Sequence, residues 1–135
     1  SEHMIRTAEL TAYYRYPQER VWEAITGGDT NIKVTPITEE QADAIKPELG
    51  KAICEVTELE APNRCAMRMR GPGFTTDWSA TLSPAENGST KVLYRQSVDY
   101  EAKRLYLMAP LIMSPKKQLR DFSRELHQKL TKMRK

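Results

Sequence analysis

The chain has 135 residues, of which 39% are hydrophobic and 29% charged, and its formal net charge is +3. This length accommodates one domain with a buried core and is too short for two. The composition is that of an ordinary soluble globular protein, and no apolar run approaches the roughly 20 residues that span a bilayer. The net charge is too small to indicate nucleic-acid binding. It fits a solvated helix face, or else contact with an acidic partner or with the surface of an anionic membrane as a peripheral protein.

The N-terminal tetrapeptide, residues 1–4 (SEHM), resembles a remnant of cloning, so no functional role is expected for His3. Residues 5–135 are expected to form a single domain. The start of the chain has no signal-peptide pattern, and a cytoplasmic location is expected.

The two cysteines, Cys54 and Cys65, belong to no Cys-x-x-Cys pair, and no histidine cluster accompanies them. The sequence therefore predicts no metal site and no cofactor. If the strands that carry the cysteines form a hairpin turning at Ala61-Pro62, Cys54 lies opposite Met69 and not opposite Cys65. Two reduced, partly buried thiols are expected instead of a disulfide.

The first third of the chain predicts a strand followed by a helix. Residues 6–16 alternate between two faces, which is typical of a strand with one buried side. Pro17 ends this strand and begins a short helix, which Gly27-Gly28 ends. Further on, residues 31–37 predict a short edge strand, and a capping pattern predicts a helical turn or two at residues 38–46.

Four strands are predicted next, at residues 51–60, 64–70, 74–82 and 90–100, with short turns between them. Short turns between consecutive strands indicate an antiparallel meander. Alternation assigns these residues of the last three strands to the inner face of the sheet: Cys65, Met67, Met69, Phe74, Thr76, Trp78, Ala80, Leu82, Val92, Tyr94, Gln96, Val98 and Tyr100.

The outer face of the predicted sheet carries a basic stripe. Arg64, Arg68 and Arg70 alternate with the inner residues of one strand. Asp77 on the next strand also points outward and is expected to pair with one of these arginines. Such a stripe fits either a solvated sheet face or a site for phosphate or for a partner.

The last segment, residues 114–133, has the clearest amphipathic pattern. Ser114 is a candidate helix cap, and Pro115 then takes the first helical position. Apolar residues recur at steps of three and four, so one stripe of the helix is expected to pack on the sheet. The stripe comprises Leu119, Phe122, Leu126, Leu130 and Met133.

The richest apolar cluster, residues 101–113, precedes this helix and contains Pro110. It predicts a strand end followed by a loop or a helical turn. Three interpretations are open: the rim of a hydrophobic opening, a patch for a partner, or a part of the core.

Four local patterns, taken in order, resemble the START/Bet v 1-like (SRPBCC) superfamily, in particular its small bacterial polyketide cyclase/dehydrase-like members. Residues 29–50 depart from that family, which often has a second short helix with a tryptophan at this point. The patterns are YRYPQERVWEAIT, LGKAICEVTELEAPNRCAMRM, DWSATLSPAENGSTKVLY and the final amphipathic helix, which together cover most of residues 6–133.

The resemblance implies an α+β helix-grip fold, in which a curved antiparallel sheet wraps around the long C-terminal helix and encloses a hydrophobic cavity. An apolar pocket with a few polar groups is typical of a ligand site. The alternative is that the aromatic residues fill the core, with their polar tips hydrogen-bonded. The candidate ligand-binding residues are Tyr14, Thr76, Tyr94 and Gln96 for polar contacts, and Met67, Met69, Trp78, Leu111, Ile112, Phe122 and Leu126 for apolar walls.

The favoured function is the non-catalytic binding of a small hydrophobic or amphipathic ligand. One alternative is an aromatase/cyclase-type enzyme, which would need a general acid or base in the cavity. Glu58 would supply a carboxylate there only if its strand keeps its alternation, and His127 lies off the centre of the helix stripe, so no catalytic residue is predicted. The other alternative is a protein-interaction module similar to co-chaperone or coenzyme-Q-associated members. The oligomeric state is not predicted.

Overall fold

The computed structural model describes residues 4–27, 53–112 and 114–133, with the side chains at positions 53, 54, 111, 112 and 133 outside the description. The predicted edge strand at residues 31–37 and helical turn at residues 38–46 lie outside the described residues. The elements are β1 (Met4–Tyr14), α1 (Gln18–Thr26), β2 (Ile53–Glu60), β3 (Arg64–Gly71), β4 (Phe74–Pro84), β5 (Thr90–Tyr100), α2 (Lys103–Ile112) and α3 (Pro115–Met133).

The described strands form one antiparallel sheet in the order β1-β5-β4-β3-β2. β2 to β5 pair with their neighbours in sequence, which confirms the predicted meander. β1 lies beside β5, so the first and last strands are adjacent. Met67 and Gln96 both lie opposite Trp78, which aligns the inner residues of β3, β4 and β5 across the sheet.

The β2–β3 hairpin turns at Ala61-Pro62, where the peptide bond is cis. Its register places Cys54 opposite Met69, as the sequence predicts. Cys65 is buried and free. The cysteines therefore lie at different levels of the hairpin.

The first helix, α1, begins directly after Pro17 and ends at Gly27. Gly27 has a φ of 79°, a left-handed conformation that glycine adopts without steric cost, and its N–H donates to the carbonyl of Glu23. The helix buries Val21 and Trp22 in the main core. Both ends of α1 therefore lie where proline and glycine predict them.

The C-terminal helix, α3, begins at Pro115, with the N–H of Lys117 3.4 Å from the Ser114 hydroxyl. Its main contacts are with β1 and β5 of the sheet and with α1. Leu119, Leu126 and Leu130 are almost completely buried there. The predicted apolar stripe thus packs on the sheet, and the architecture is the α+β helix-grip arrangement.

The segment before α3 forms a ten-residue helix, α2, where the sequence predicts a loop or a helical turn. Tyr106 and Ala109 turn toward Val98 and Tyr100 of β5 and form a second, smaller core. Leu107 and Met108 are 58% and 45% exposed. The segment is therefore neither plain core nor loop, because one side of the helix packs on β5 and the other carries exposed side chains.

The arginines on the outer face of β3 are paired with acidic side chains. Arg68 donates to Asp77 on β4 at 2.8 Å, which confirms the expected pair. Arg64 donates to Glu58, and Arg70 lies 3.9 Å from Glu55. These partners neutralise the stripe, which favours a solvated sheet face over a phosphate site.

Candidate functional site

A chain of three hydroxyl groups joins the sheet to α3 at the centre of the core. The hydroxyl of Tyr14 lies 2.7 Å from that of Tyr94 and 2.8 Å from that of Ser123. Tyr14 and Tyr94 have no exposed surface. The polar tips of both tyrosines are thus satisfied within the protein, as buried hydroxyls require.

The surroundings of these hydroxyls keep them protonated. Burial raises the pKa of Tyr14, although its hydrogen bonds to Ser123 and Tyr94 act in the opposite direction. Burial also raises the pKa of Tyr94, and the neighbouring Tyr14 raises it further. A neutral hydroxyl in this position holds a helix in place and is a poor base.

An aromatic cluster lies beside the hydroxyl chain. The ring of Phe122 on α3 meets the ring of Trp78 at a centroid distance of 5.3 Å and the ring of Tyr94 at 5.5 Å, both edge to face. The amide of Gln96 donates to the side-chain oxygen of Gln118 on α3. These contacts join α3 to β4 and β5.

The inner face of β3 is less completely covered. Met67 points to the same side as Trp78 yet is 42% exposed, and Met69 and Thr76 beside it are only partly buried. α3 packs mainly on β1 and β5, toward the opposite edge of the same face. Of the residues that the structure describes, those packed on the inner face therefore fill it over β1 and β5 and leave it partly uncovered over β3 and β4.

An open pocket of about 190 Å³ lies between α1 and α3. Ala24 and Ile25 form its α1 side, Phe122 and Leu126 its α3 floor, and Glu125 and Lys129 complete the lining. The ammonium group of Lys129 donates to the carbonyl of Ala24 at 2.8 Å. The pocket has an apolar floor and a charged edge, and its volume is below the roughly 300 Å³ at which ligand pockets usually begin.

Phe122 connects the pocket to the inner face of the sheet, because it lines the pocket and also contacts Trp78.

The structure brings nine of the predicted residues to the inner side of the sheet or to the helix facing it. Leu111 and Ile112 belong to α2, but their side chains lie outside the described residues. The nine are Tyr14, Met67, Met69, Thr76, Trp78, Tyr94, Gln96, Phe122 and Leu126.

Sequence patterns missed six residues of this region. Ser123 and Gln118 complete hydrogen bonds to the sheet, and the other four line the pocket: Ala24, Ile25, Glu125 and Lys129. The shared helical face of Ala24 and Ile25 was a usable signal, since it predicts that α1 packs inward. The positions of the polar residues on α3 gave no comparable signal.

Glu58 does not point toward the inner face. A β-bulge between Val56 and Glu58 shifts the register, so that Glu58 lies opposite Ala66 and pairs with Arg64 on the outer face. A bulge adds one residue to one strand, which reverses the side on which the following residues point. The carboxylate considered for catalysis therefore lies on the outer face of the sheet.

His127 is exposed, and its ring centroid lies 4.4 Å from that of Tyr14. The imidazole thus packs on the edge of the core from outside, as its off-centre position on the helix predicts.

Among residues 4–27, 53–112 and 114–133, no group of three or more His, Cys, Asp or Glu side chains could hold a metal ion. Within the same ranges, no helix is both long and apolar enough to cross a bilayer.

Solved structures resemble this arrangement over nearly its whole length. A point mutant of norcoclaurine synthase from Thalictrum flavum, in complex with a transition-state analogue, has a TM-score of 0.66 at 8% identity, covering 100% of this chain and 99% of that chain. The chain has the Bet v 1-like helix-grip fold. Protein MLL2253 from Mesorhizobium loti has a TM-score of 0.60 at 19% identity, with 94% and 98% covered.

A third structure, protein Mll3558 from Rhizobium loti, has a TM-score of 0.55 at 12% identity, covering 96% of this chain and 97% of that chain. No protein-family model and no curated protein matches the sequence. At these identities the likeness shows the helix-grip fold alone, so function has to be argued from the chain's own residues.

Proposed function

We propose that this helix-grip protein binds a small hydrophobic or amphipathic molecule between the inner face of β3 and β4 and the helix α3. The observation that carries the proposal is that the described residues cover the inner face unevenly. Met67 is 42% exposed although it points to the inner side, whereas Tyr14 and Tyr94 are completely buried. A ligand that covered Met67 would gain the free energy of burying apolar surface.

The proposed contact surface is apolar, and polar side chains lie beside it or in the core behind it. Met67, Met69 and Trp78 offer side chains from the sheet, and Phe122 and Leu126 offer theirs from α3. Flexible methionine side chains adapt to ligands of different shape. Of the polar candidates, Thr76 is partly exposed beside this surface, while Tyr14, Tyr94 and Gln96 support it from the core.

A cyclase-type enzyme is the alternative, and it would need a general acid or base at this surface. Burial keeps the hydroxyls of Tyr14 and Tyr94 neutral, and Glu58 lies on the outer face. The neutral tyrosine hydroxyls and the outward position of Glu58 favour binding over catalysis. A place in the small polyketide cyclase/dehydrase-like branch of the superfamily, and a cytoplasmic location, belong to the same proposal and rest on sequence patterns.

The test places a charge at Met67, on the proposed contact surface. With 1-anilinonaphthalene-8-sulfonate as an amphipathic probe, the Met67→Asp variant should bind about tenfold more weakly or worse, because an ionised carboxylate is costly to cover with apolar groups. Fluorescence titration measures the dissociation constant. Native mass spectrometry of freshly purified protein should also show a co-purified mass that extraction can identify.

The matched control is the Leu93→Asp variant. Leu93 is 38% exposed, close to the 42% of Met67, but it points to the outer face of β5. This variant should bind the probe as the unmodified protein does. Equal binding by the two aspartate variants would contradict a ligand site on the inner face.

A further inference from the structure

The helix α2 carries apolar side chains on both its inward and its outward side. On the inward side, the Tyr106 ring packs on Arg6, with the guanidinium carbon 4.0 Å from the ring centroid, and Arg6 also donates to the Tyr106 carbonyl at 3.0 Å. Ala109 is buried against β5. On the outward side, Leu107 and Met108 are 58% and 45% exposed. The anchored side holds the exposed pair in a fixed orientation.

The stretch of chain around this apolar pair is mainly basic, with Glu101 just before it and Asp121, which pairs with Lys117, just after it. Residues 103–120, which run through α2 into the first turns of α3, contain five basic residues and no acidic one, more positive charge than the net +3 of the whole chain. The ammonium group of Lys116 donates to the carbonyl of Glu9 on β1, so this part of α3 lies at the β1 edge, as Arg6 and Tyr106 do. The five basic residues are all exposed: Lys103, Arg104, Lys116, Lys117 and Arg120.

We propose that α2 and the first turns of α3 dock on the surface of an anionic membrane. Leu107 and Met108 would enter the boundary between headgroups and acyl chains, while the surrounding lysines and arginines bind lipid phosphate and carboxylate groups. Exposed apolar side chains on a helix with basic flanks are the combination that binds at a lipid interface. Tyr106 and Ala109, on the opposite side of the helix, keep it attached to the sheet during this contact.

The charge favours a lipid surface over a second copy of the chain. A symmetric pair that buried Leu107 against its own counterpart would bring two sets of five cations together, and like charges oppose such a contact. An anionic bilayer supplies the opposite charge over an extended plane and accepts apolar side chains of any shape. The inference does not rest on the proposed ligand site, which lies on β3, β4 and α3.

The experiment is co-sedimentation of the whole chain with vesicles. The protein should bind vesicles of equal parts phosphatidylcholine and phosphatidylserine and should not bind vesicles of phosphatidylcholine alone. The Leu107→Asp variant should bind the anionic vesicles about tenfold more weakly or worse, because a charged group replaces an apolar anchor. Circular dichroism establishes that the variant is folded.

The control for the anchor is the Tyr13→Asp variant. Tyr13 is 60% exposed on the outer face, and it lies opposite Lys91, which offers the new carboxylate a partner. This variant adds the same charge at a similar exposure away from α2. Its binding to vesicles should match that of the unmodified chain.

A second pair of variants tests the electrostatic part without changing an apolar residue. Arg104→Gln should weaken binding to anionic vesicles about fivefold, the effect of one basic residue near a lipid surface. Lys91→Gln removes the same charge from the outer face of β5 and should leave binding unchanged.

Three results would overturn the proposal. One is the absence of binding to anionic vesicles by the unmodified chain, which would leave α2 to an acidic protein partner. Another is equal binding by the Leu107→Asp and Tyr13→Asp variants. The third is a dimer in solution that the Leu107→Asp substitution dissociates, which would assign the surface to a second copy.

Discussion

The hydroxyl of Tyr14 shows at the scale of one residue how sheet and helix are fixed to each other. It takes part in two buried hydrogen bonds, to Tyr94 and to Ser123, across 80 and 109 positions of sequence. Tyr94 and Ser123 are each hydrogen-bonded to Tyr14, which lies between them. Alternation along the strands predicts that both tyrosines face inward, but the sequence contains no signal that pairs them with Ser123.

The central position of Tyr14 predicts an order of stabilities. Tyr14→Phe removes two hydrogen bonds and leaves two buried hydroxyls without that partner, at a cost of about 2–3 kcal/mol in the free energy of unfolding. Tyr94→Phe and Ser123→Ala each remove one bond and leave Tyr14 with its other partner, so each should cost about 1 kcal/mol. Urea denaturation measures all three variants. A larger loss for Tyr94→Phe than for Tyr14→Phe would contradict this account, and Tyr13→Phe, at an exposed position, provides the control.

At the scale of elements, α3 and α2 use apolar residues for different purposes. The apolar stripe of α3 recurs every three or four residues and is buried against the sheet at Leu119, Leu126 and Leu130. α2 has apolar residues around most of its circumference, so its periodicity does not indicate which side is buried. Pro110 within the segment also favours a loop in sequence-based reasoning, because proline removes a hydrogen-bond donor from the helix. This is why the sequence predicts α3 correctly and α2 only as a loop or turn.

The contrast between the two helices predicts unequal effects of the same substitution. Leu130→Ala should lower the free energy of unfolding by about 2–5 kcal/mol, because Leu130 is completely buried and its removal leaves a cavity. Leu107→Ala should change it by less than about 0.5 kcal/mol, because Leu107 is 58% exposed. Thermal or chemical denaturation of both variants provides the comparison. Similar losses at the two positions would mean that α2 is buried on both sides.

The stability of the whole molecule should respond to alkaline pH through its buried acids. Burial raises the pKa of the Cys65 thiol from 9.0 to about 11. The pKa values of Tyr14, Tyr94 and Tyr100 are also raised from 10.0, in each case mainly by burial. The folded chain therefore retains protons that the unfolded chain has already lost. The stabilisation from these groups is complete below the unfolded pKa values and is lost as the pH rises through the folded ones.

This linkage predicts a measurable slope. Between pH 9 and pH 11, the Cys65 thiol should reduce the free energy of unfolding by up to about 1.4 kcal/mol per pH unit, and the tyrosines should steepen the decline above pH 10. Urea denaturation at a series of pH values measures the slope. The Cys65→Ala variant should show a shallower decline between pH 9 and pH 10, whatever its stability at neutral pH. An unchanged slope in that variant would show that Cys65 does not carry the effect.

Local sequence patterns are sufficient to predict most of the elements. Alternation gives the strands and their inner faces, Pro17 and Gly27 give the ends of α1, and a stripe at steps of three and four gives α3, because each of these depends on neighbouring positions only. The order of these patterns also led to the helix-grip fold, which the structure and its likeness to norcoclaurine synthase confirm.

The packing of distant elements determines which inner residues are covered, and a register shift determines the direction of Glu58. The register shift after Val56 turns Glu58 outward, although its position in the alternation predicts the inner face. Met67 and Tyr94 both read as inner residues, but α3 covers β1 and β5 more completely than β3, so one is exposed and the other buried. The physical reason is that burial depends on where a distant helix packs, and a strand's own pattern gives only the side on which each residue points.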